Sequence, residues 1–190
     1  MQKPSPDNRR ALILDEAAKL FSARGYDSTS MRDIAAAVGM LPGSIYYHFP
    51  SKDEILATIY GIGVDQIITA VEAAIAKADD PWDRLEAAAI AHLDTLLNRD
   101  GYAAAVIADW PGDSEIRPRL VTERDRYETI FRTLIAALPG LRKPEQRLFR
   151  LTLLGALNWT LTWYRPDKQG PGKQSPAQIA RGIVAMLRKP

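Results

Sequence analysis

Apolar side chains recur at three- and four-residue intervals along nearly the whole chain, and no segment keeps a period-two alternation. Spacing of three and four lines up one face of an α-helix, whereas a half-buried strand needs strict alternation. The pattern therefore predicts an all-α protein of about nine helices. Ile13, Ala17, Leu20 and Phe21 form the inward stripe of the first, about 8–24, and Gly25 stands where a left-handed residue would end it. Ser30 precedes "MRDIAAAVG" with Asp33 three positions on, a carboxylate form of the capping box that predicts a short helix over about 31–37. Pro42 carries the fixed φ of a first helical turn and predicts a third helix over 42–48. Ser51 and Glu54 repeat the box pattern and open a long helix to about residue 78. Further helices are predicted over about 81–99 behind Asp80 and Pro81, a short one over 102–109, then 115–138, 145–164, and 176–188 behind Ser175 and Pro176. The breaks between them are "PGDSE", "LPGLRKPE" and "RPDKQGPGKQ".

Two short helices separated by "VGML" fit a helix-turn-helix, whose second helix can enter a DNA major groove about 12 Å wide. Ile34, Ala35, Val38 and Ile45 supply a small apolar centre against Phe21, and Gly39 permits the tight turn. That leaves Arg32, Pro42, Gly43, Ser44, Tyr46, Tyr47, His48 and Lys52 to face outward, with Phe49 as an anchor into the core. Gly43 and Ser44 are small enough for the backbone to approach base edges. The tyrosine hydroxyls and the His48 ring can donate to phosphate oxygens, which fixes register without reading sequence. Lys52 adds its charge at the positive end of the fourth helix. An isolated Tyr-Tyr pair is more often ordinary core, and Arg32 or Lys52 alone would be a solvated surface charge. The spacing of the whole set favours the DNA reading.

The stretch "GYDSTSMRDIAAAVGMLPGSIYYHFPSKDEIL" resembles the DNA-binding domain of TetR-family transcriptional regulators. It shares their Gly-aromatic turn, Ser/Thr cap, Arg-Asp-Ile-Ala helix, Tyr-x-His-Phe run and Ser-Lys-Asp start of a long fourth helix, over about residues 9–56. The resemblance implies base-edge reading by Arg32, Pro42, Gly43, Ser44 and Tyr46, and phosphate contacts from Tyr47, His48 and Lys52. Leu41 departs from it: many members carry a capping Ser or Thr there, so a phosphate contact is lost, and Pro42 takes over part of the capping. The domains implied are 1–56 for DNA and 57–190 for effector binding and dimerisation.

Composition narrows the classes. With 190 residues, 46% hydrophobic and 25% charged, the chain can bury a sizeable core. It has no cysteine, which removes disulfides, thiolate metal sites and a cysteine nucleophile. No apolar run reaches the length of a membrane span and the N-terminus has no signal-type segment, so a cytoplasmic protein without a membrane partner is expected. Charge is uneven: seven basic against seven acidic residues over 1–56, eight against fourteen over 57–141, and ten against two over 142–190. A neutral DNA-binding segment weakens the case from charge alone and favours the rival reading, a helical ligand-binding or interaction protein with no specific DNA binding.

A single helix-turn-helix reads few base pairs, so a homodimer on a palindromic operator is expected. "RLFRLTLLGALNWTLTWY" is apolar on nearly every side, as a helix shared between a core and a partner would be. Leu153, Leu157, Leu161, Ile179, Ile183 and Met186 are the candidate dimer residues; by the resemblance the last two helices form a four-helix dimer bundle, and burial within one chain is the other reading. The helices of 57–141 would surround an effector cavity, with Tyr60, Val64, Trp110, Tyr127, Phe131 and Trp159 as candidate lining. Periodicity does not separate a pocket wall from packed core. His92, among "AAAIAHLDTLL", reads as a hydrogen-bonded interior or boundary histidine. No nucleophile-base pair, metal-spaced cluster or phosphate loop appears, so neither an enzyme, a cofactor nor a metal is expected. The stretch "GALNWTLTWYRPDKQGPGKQSPAQIARGIVAML" is similar to the end of a TetR branch that senses acyl-coenzyme A thioesters and controls lipid or steroid breakdown. The basic excess there, including Arg147, Arg150, Arg165, Lys168 and Lys173, would suit a polyanionic coenzyme A head group or form a solvated surface.

Overall fold

The computed structural model describes residues 6–98, 102–106, 115–165 and 174–188. In chain order it has α1 (Pro6–Arg24), α2 (Met31–Ala37), α3 (Pro42–Ile45), α4 (Lys52–Ile75), α5 (Pro81–Leu96), a 3₁₀ turn (Ala103–Val106), α6 (Arg117–Ala136), α7 (Lys143–Trp163) and α8 (Pro176–Arg188). The all-α class is as expected, and among the described residues no strand occurs. The short segment expected over 102–109 is the 3₁₀ turn, as far as it is described. The third helix is shorter than 42–48. After Ile45 the chain continues as a turn in which the N–H groups of His48 and Phe49 both donate to the Ile45 carbonyl, at 3.0 Å each. Pro50 explains the stop, since a following proline disfavours helical geometry at Phe49.

Local chemistry sets the helix ends. At α2 the Ser30 Oγ accepts from the Asp33 N–H at 3.2 Å and the Asp33 carboxylate accepts from the Ser30 N–H at 2.8 Å. Asp80 Oδ1 takes the N–H groups of Trp82 and Asp83 ahead of α5. At α8, Ser175 Oγ accepts from Gln178 N–H and Gln178 Oε1 accepts from Ser175 N–H. The box expected at α4 forms only by half: Ser51 Oγ accepts from Glu54 N–H at 3.2 Å, while the Glu54 carboxylate pairs with Arg119.

The chain divides into two compact units. One runs to Ile62 and takes in the start of α6 as far as Glu123; the other comprises Gly63–Ile107 and everything from Arg124. The core of the first is Ile13, Ala17 and Phe21 of α1, Ile34 and Ala35 of α2, Ile45, Phe49, and Ile55, Leu56 and Ile59 of α4. Val38 is half-buried at its margin. In the second, α5 packs on α7, α8 and the 3₁₀ turn. Its inward row is Leu85, Ala88, Ala89, His92, Leu93 and Leu96, and the two alanines leave room for a neighbouring backbone. Full burial of each leucine contributes about 1.5–3 kcal/mol. Gly63 of α4 lies so near the 3₁₀ turn that a Cβ there would sit 2.5 Å from the Tyr102 carbonyl oxygen, while a Cβ on Gly61 would meet nothing.

Candidate DNA interface and the buried polar cluster

The exposed surface of the first unit is built on two turns. Gly39 has φ +67°, outside the comfortable range of other residues. It lets Gly39 N–H reach the Ala36 carbonyl at 3.1 Å and Met40 N–H reach the Ala35 carbonyl at 2.8 Å, the paired bonds of a Schellman cap. The chain then reverses into α3 through Leu41, which has extended φ and ψ and makes no capping bond with its side chain.

α3 and the turn after it divide their residues sharply. Ile45 and Phe49, four apart, are buried at 0% and 1%. Arg32, Leu41, Pro42, Gly43, Ser44, Tyr46 and Tyr47 are exposed and His48 is half-buried. Tyr47 is 86% exposed, with its ring edge-on to His48 at 5.3 Å, so the tyrosine pair is surface and not core.

Lys52 is placed differently from expectation. Its ammonium donates to the carbonyl oxygens of Tyr26 at 2.7 Å and Thr29 at 2.8 Å, and lies 4.0 Å from the centre of the Tyr26 ring. Tyr26 in turn donates its hydroxyl to Asp53, and Thr29 Oγ donates to the Gly25 carbonyl at 2.9 Å. Burial, and after it the bond to Asp53, pushes the Tyr26 phenol far above its ordinary pKa. These contacts clamp the turn after α1 to the start of α4. Lys52 is a clamp because the carbonyls of Tyr26, which already accepts from Thr29 N–H at 3.1 Å, and of Thr29 converge where the start of α4 brings an ammonium donor.

Arg10 is a residue that the spacing did not single out. From α1 its Nη1 donates to the His48 carbonyl at 2.8 Å, and its guanidinium carbon lies 4.0 Å from the centre of the Phe49 ring. Only the fold brings residues 10 and 48 together. The sole sequence signal is its basic character near the N-terminus, one of many.

In the second unit the expected lining residues Val64, Tyr127 and Phe131 are buried, at 0%, 2% and 0%; Tyr60, also buried at 3%, belongs to the first unit. Trp159 is corrected: at 66% exposure it faces outward on α7 and lines no interior. Trp110 lies outside the described residues. A surface depression of about 260 Å³ in the first unit is bordered by Ala57, Pro118, Arg119, Leu120, Thr122 and Glu123, none of them an expected lining residue. His92 is fully buried and bonded on both nitrogens, Nδ1 to the Tyr127 hydroxyl at 2.8 Å and Nε2 to Asn158 Oδ1 at 3.0 Å. The carbonyl oxygen of Asn158 can only accept, so Nε2 carries the proton and Tyr127 donates to Nδ1. Burial outweighs the bond to Asn158 and lowers the His92 pKa to about 4, so the ring is neutral. Tyr127 stacks on it at 5.6 Å and Phe131 meets it edge-on at 6.0 Å.

The candidate dimer residues split. Leu153, Leu157 and Ile179 are buried inside the chain, Leu161 and Ile183 are half-buried, and Met186 is 66% exposed. Leu153, Leu157 and Ile179 are therefore core residues; the α7 row of Leu153 and Leu157 continues through Phe149 and Thr160. The exposed apolar row of α7 is Leu148, Leu151, Trp159 and Trp163, with Gly155 between them.

Two short helices about a glycine turn, with an exposed α3 flanked by hydroxyl-bearing tyrosines, define a helix-turn-helix DNA-binding protein. Comparison with known proteins agrees. Residues 13–59 match the bacterial regulatory proteins of the tetR family, and residues 78–190 match the tetracyclin repressor-like C-terminal domain. The HTH-type transcriptional repressor KstR2 of Mycobacterium tuberculosis is 27% identical over 94% of this chain and 94% of its own. Among solved structures, AibR in complex with isovaleryl coenzyme A and operator DNA superposes with a TM-score of 0.78 at 28% identity, covering 94% of this chain and 97% of that one. The TetR family transcriptional regulator PfmR from Thermus thermophilus gives 0.74 at 29% identity, over 92% and 96%. The chain belongs to the TetR family and is a ligand-responsive, DNA-binding transcriptional regulator.

Proposed function

We propose that the chain is a dimeric repressor that leaves a palindromic operator when an acyl-coenzyme A thioester, or an effector of similar amphipathic character, binds residues of its second unit. The observation that carries the DNA part is the division of α3 and its turn, with Pro42, Gly43, Ser44, Tyr46 and Tyr47 outside and Ile45 and Phe49 inside. Base edges are read by Arg32, Pro42, Gly43, Ser44 and Tyr46, and phosphates are held by Tyr47 and His48. Lys52 serves by fixing the turn at Tyr26. The acyl-coenzyme A part is supported by AibR, solved with isovaleryl coenzyme A. The relatives named as KstR2 are transcriptional repressors, which supports repression.

Residues 1–56 bind DNA and 57–190 bind effector and partner, in the cytoplasm where the DNA is, and no catalytic step is assigned. Val64, Tyr127 and Phe131 supply apolar contacts to the effector. The partner is a second copy seated on Leu148, Leu151, Trp159 and Trp163 of α7 and Met186 of α8, large apolar side chains that are each half or more exposed. The helix α4 is continuous from the Lys52 clamp to Ile75, so an effector that prefers one tilt of α4 shifts the spacing of the two recognition helices away from the roughly 34–36 Å of successive grooves. A coupling of about 1–3 kcal/mol weakens operator binding by roughly 5- to 150-fold. Gel-shift titration on the DNA flanking its own gene, with and without isovaleryl coenzyme A, tests this. A retarded band that outlasts competitor DNA and fades with the thioester is expected; no sequence preference at moderate salt would overturn the DNA reading, and a band indifferent to thioesters the effector class.

A further inference from the structure

We infer that Arg10 of α1 is a DNA-phosphate contact, the role expected from the sequence for Lys52. The inference rests on the DNA reading above and adds a residue to it. Lys52 is turned inward onto two carbonyls. Arg10 is exposed, and one of its N–H groups reaches the His48 carbonyl at 2.8 Å. It therefore lies beside the expected phosphate contacts Tyr47 and His48. Its guanidinium lies 4.0 Å from the centre of the buried Phe49 ring, a cation-π contact that holds the position of the charge. Guanidinium has five donors in one rigid plane, and beyond the His48 carbonyl those of Arg10 have no partner among the described residues. An outward, pre-oriented fork of this kind suits a phosphate oxygen. Holding the His48 carbonyl also ties the phosphate contact to the end of the recognition segment, so backbone docking and the position of α3 are set together. This gives a segment of zero net charge a fixed cation at its contact face.

The salt dependence of binding to a mixed-sequence duplex of about three helical turns tests the inference without knowledge of the operator, because each neutralised phosphate contributes about 0.9 to the slope of log affinity against log salt. Arg10→Lys keeps the charge and should keep the slope. Arg10→Gln keeps a donor for the His48 carbonyl but carries no charge, and each protomer should lose roughly one from the slope, with about a tenfold fall in affinity at moderate salt. Circular dichroism confirms that each variant is folded, and a misfolded Arg10→Gln is replaced by Arg10→Met. A slope unchanged in the neutral variants would overturn the inference while leaving the DNA reading intact. A wild-type protein with no salt slope would overturn both.

Discussion

The ammonium of Lys52 sits 2.7 Å from the carbonyl oxygen of Tyr26, twenty-six residues earlier in the chain. The lysine at the start of α4 is thereby a structural donor, and removing it should loosen the turn after α1 before it alters any electrostatic attraction to DNA. Lys52→Met keeps the stem and deletes the charge. It should lower stability by about 1–2 kcal/mol, the lower part of the range for charge-assisted bonds because the side chain is half-exposed. Thermal unfolding would register the loss, while the slope of log affinity against log salt should stay at the wild-type value, in contrast to the neutral Arg10 variants.

This residue also marks how far the sequence could be read. Helix starts were legible because their causes are local: Ser30 with Asp33, Asp80 before Pro81, and Ser175 with Gln178 satisfy backbone donors within three residues. The recognition segment was legible for the same reason, since Ile45 and Phe49 lie one turn apart and leave Tyr46 and Tyr47 outside. The direction of Lys52 and the partner of Arg10 were not, because each depends on carbonyls 23 to 38 residues away. On α7 the apolar content is too even for spacing to choose a face. The clue lay in its smaller residues: Thr152, Gly155 and Thr162 share the outer side with the tryptophans, while Phe149, Leu153 and Leu157 form an unbroken inner row.

At the front of α3, Leu41 occupies the N-cap with no side-chain bond to the helix and 77% exposure. Leu41→Ser should add a capping acceptor worth about 0.5–1 kcal/mol. Gel-shift titration should show a several-fold gain in affinity that is the same for specific and mixed-sequence DNA, because the added hydroxyl would meet phosphate and not a base edge. A gain confined to one sequence would contradict that placement.

The two glycines of α4 make opposite forecasts. Ala at position 63 would drive its methyl to within 2.5 Å of the Tyr102 carbonyl, a backbone atom that cannot swing away. Overpacking of this kind costs about 1–3 kcal/mol, more than the gain of up to about 1 kcal/mol from replacing a helical glycine. Gly61→Ala meets nothing within 4 Å and keeps the gain. Chemical denaturation of the two variants should therefore move the midpoint down for Gly63→Ala and up for Gly61→Ala.

His92 gives the second unit a dependence on pH. Its folded-state pKa of about 4 lies below the ordinary 6.5, because burial disfavours the imidazolium. The unfolded chain therefore takes up a proton that the folded one refuses as pH drops below 6.5. Stability from this group is complete above that value, falls between about 6.5 and 4, and levels off below, a total on the order of 3 kcal/mol. Unfolding monitored between pH 7 and 4 should show this loss. His92→Leu should flatten it while lowering stability at pH 7, since the Tyr127 hydroxyl and Asn158 amide lose a buried partner.

The outer face of α7 separates a role in association from a role in folding. Trp159 is 66% exposed and Leu153 fully buried, although both lie on one helix six residues apart. Trp159→Asp places a charge in the centre of the proposed partner surface, where it would be desolvated without a counter-ion. Light scattering should report a monomer at concentrations where the wild type is a dimer, with helical content unchanged and with operator affinity reduced because one recognition helix then binds alone. Leu153→Ala should instead cost about 2–5 kcal/mol of unfolding free energy through the cavity it leaves, and any dissociation should track that loss. A Trp159→Asp protein that stays dimeric would remove α7 from the interface, since no contact surface tolerates an unpaired carboxylate at its middle without losing much of its affinity.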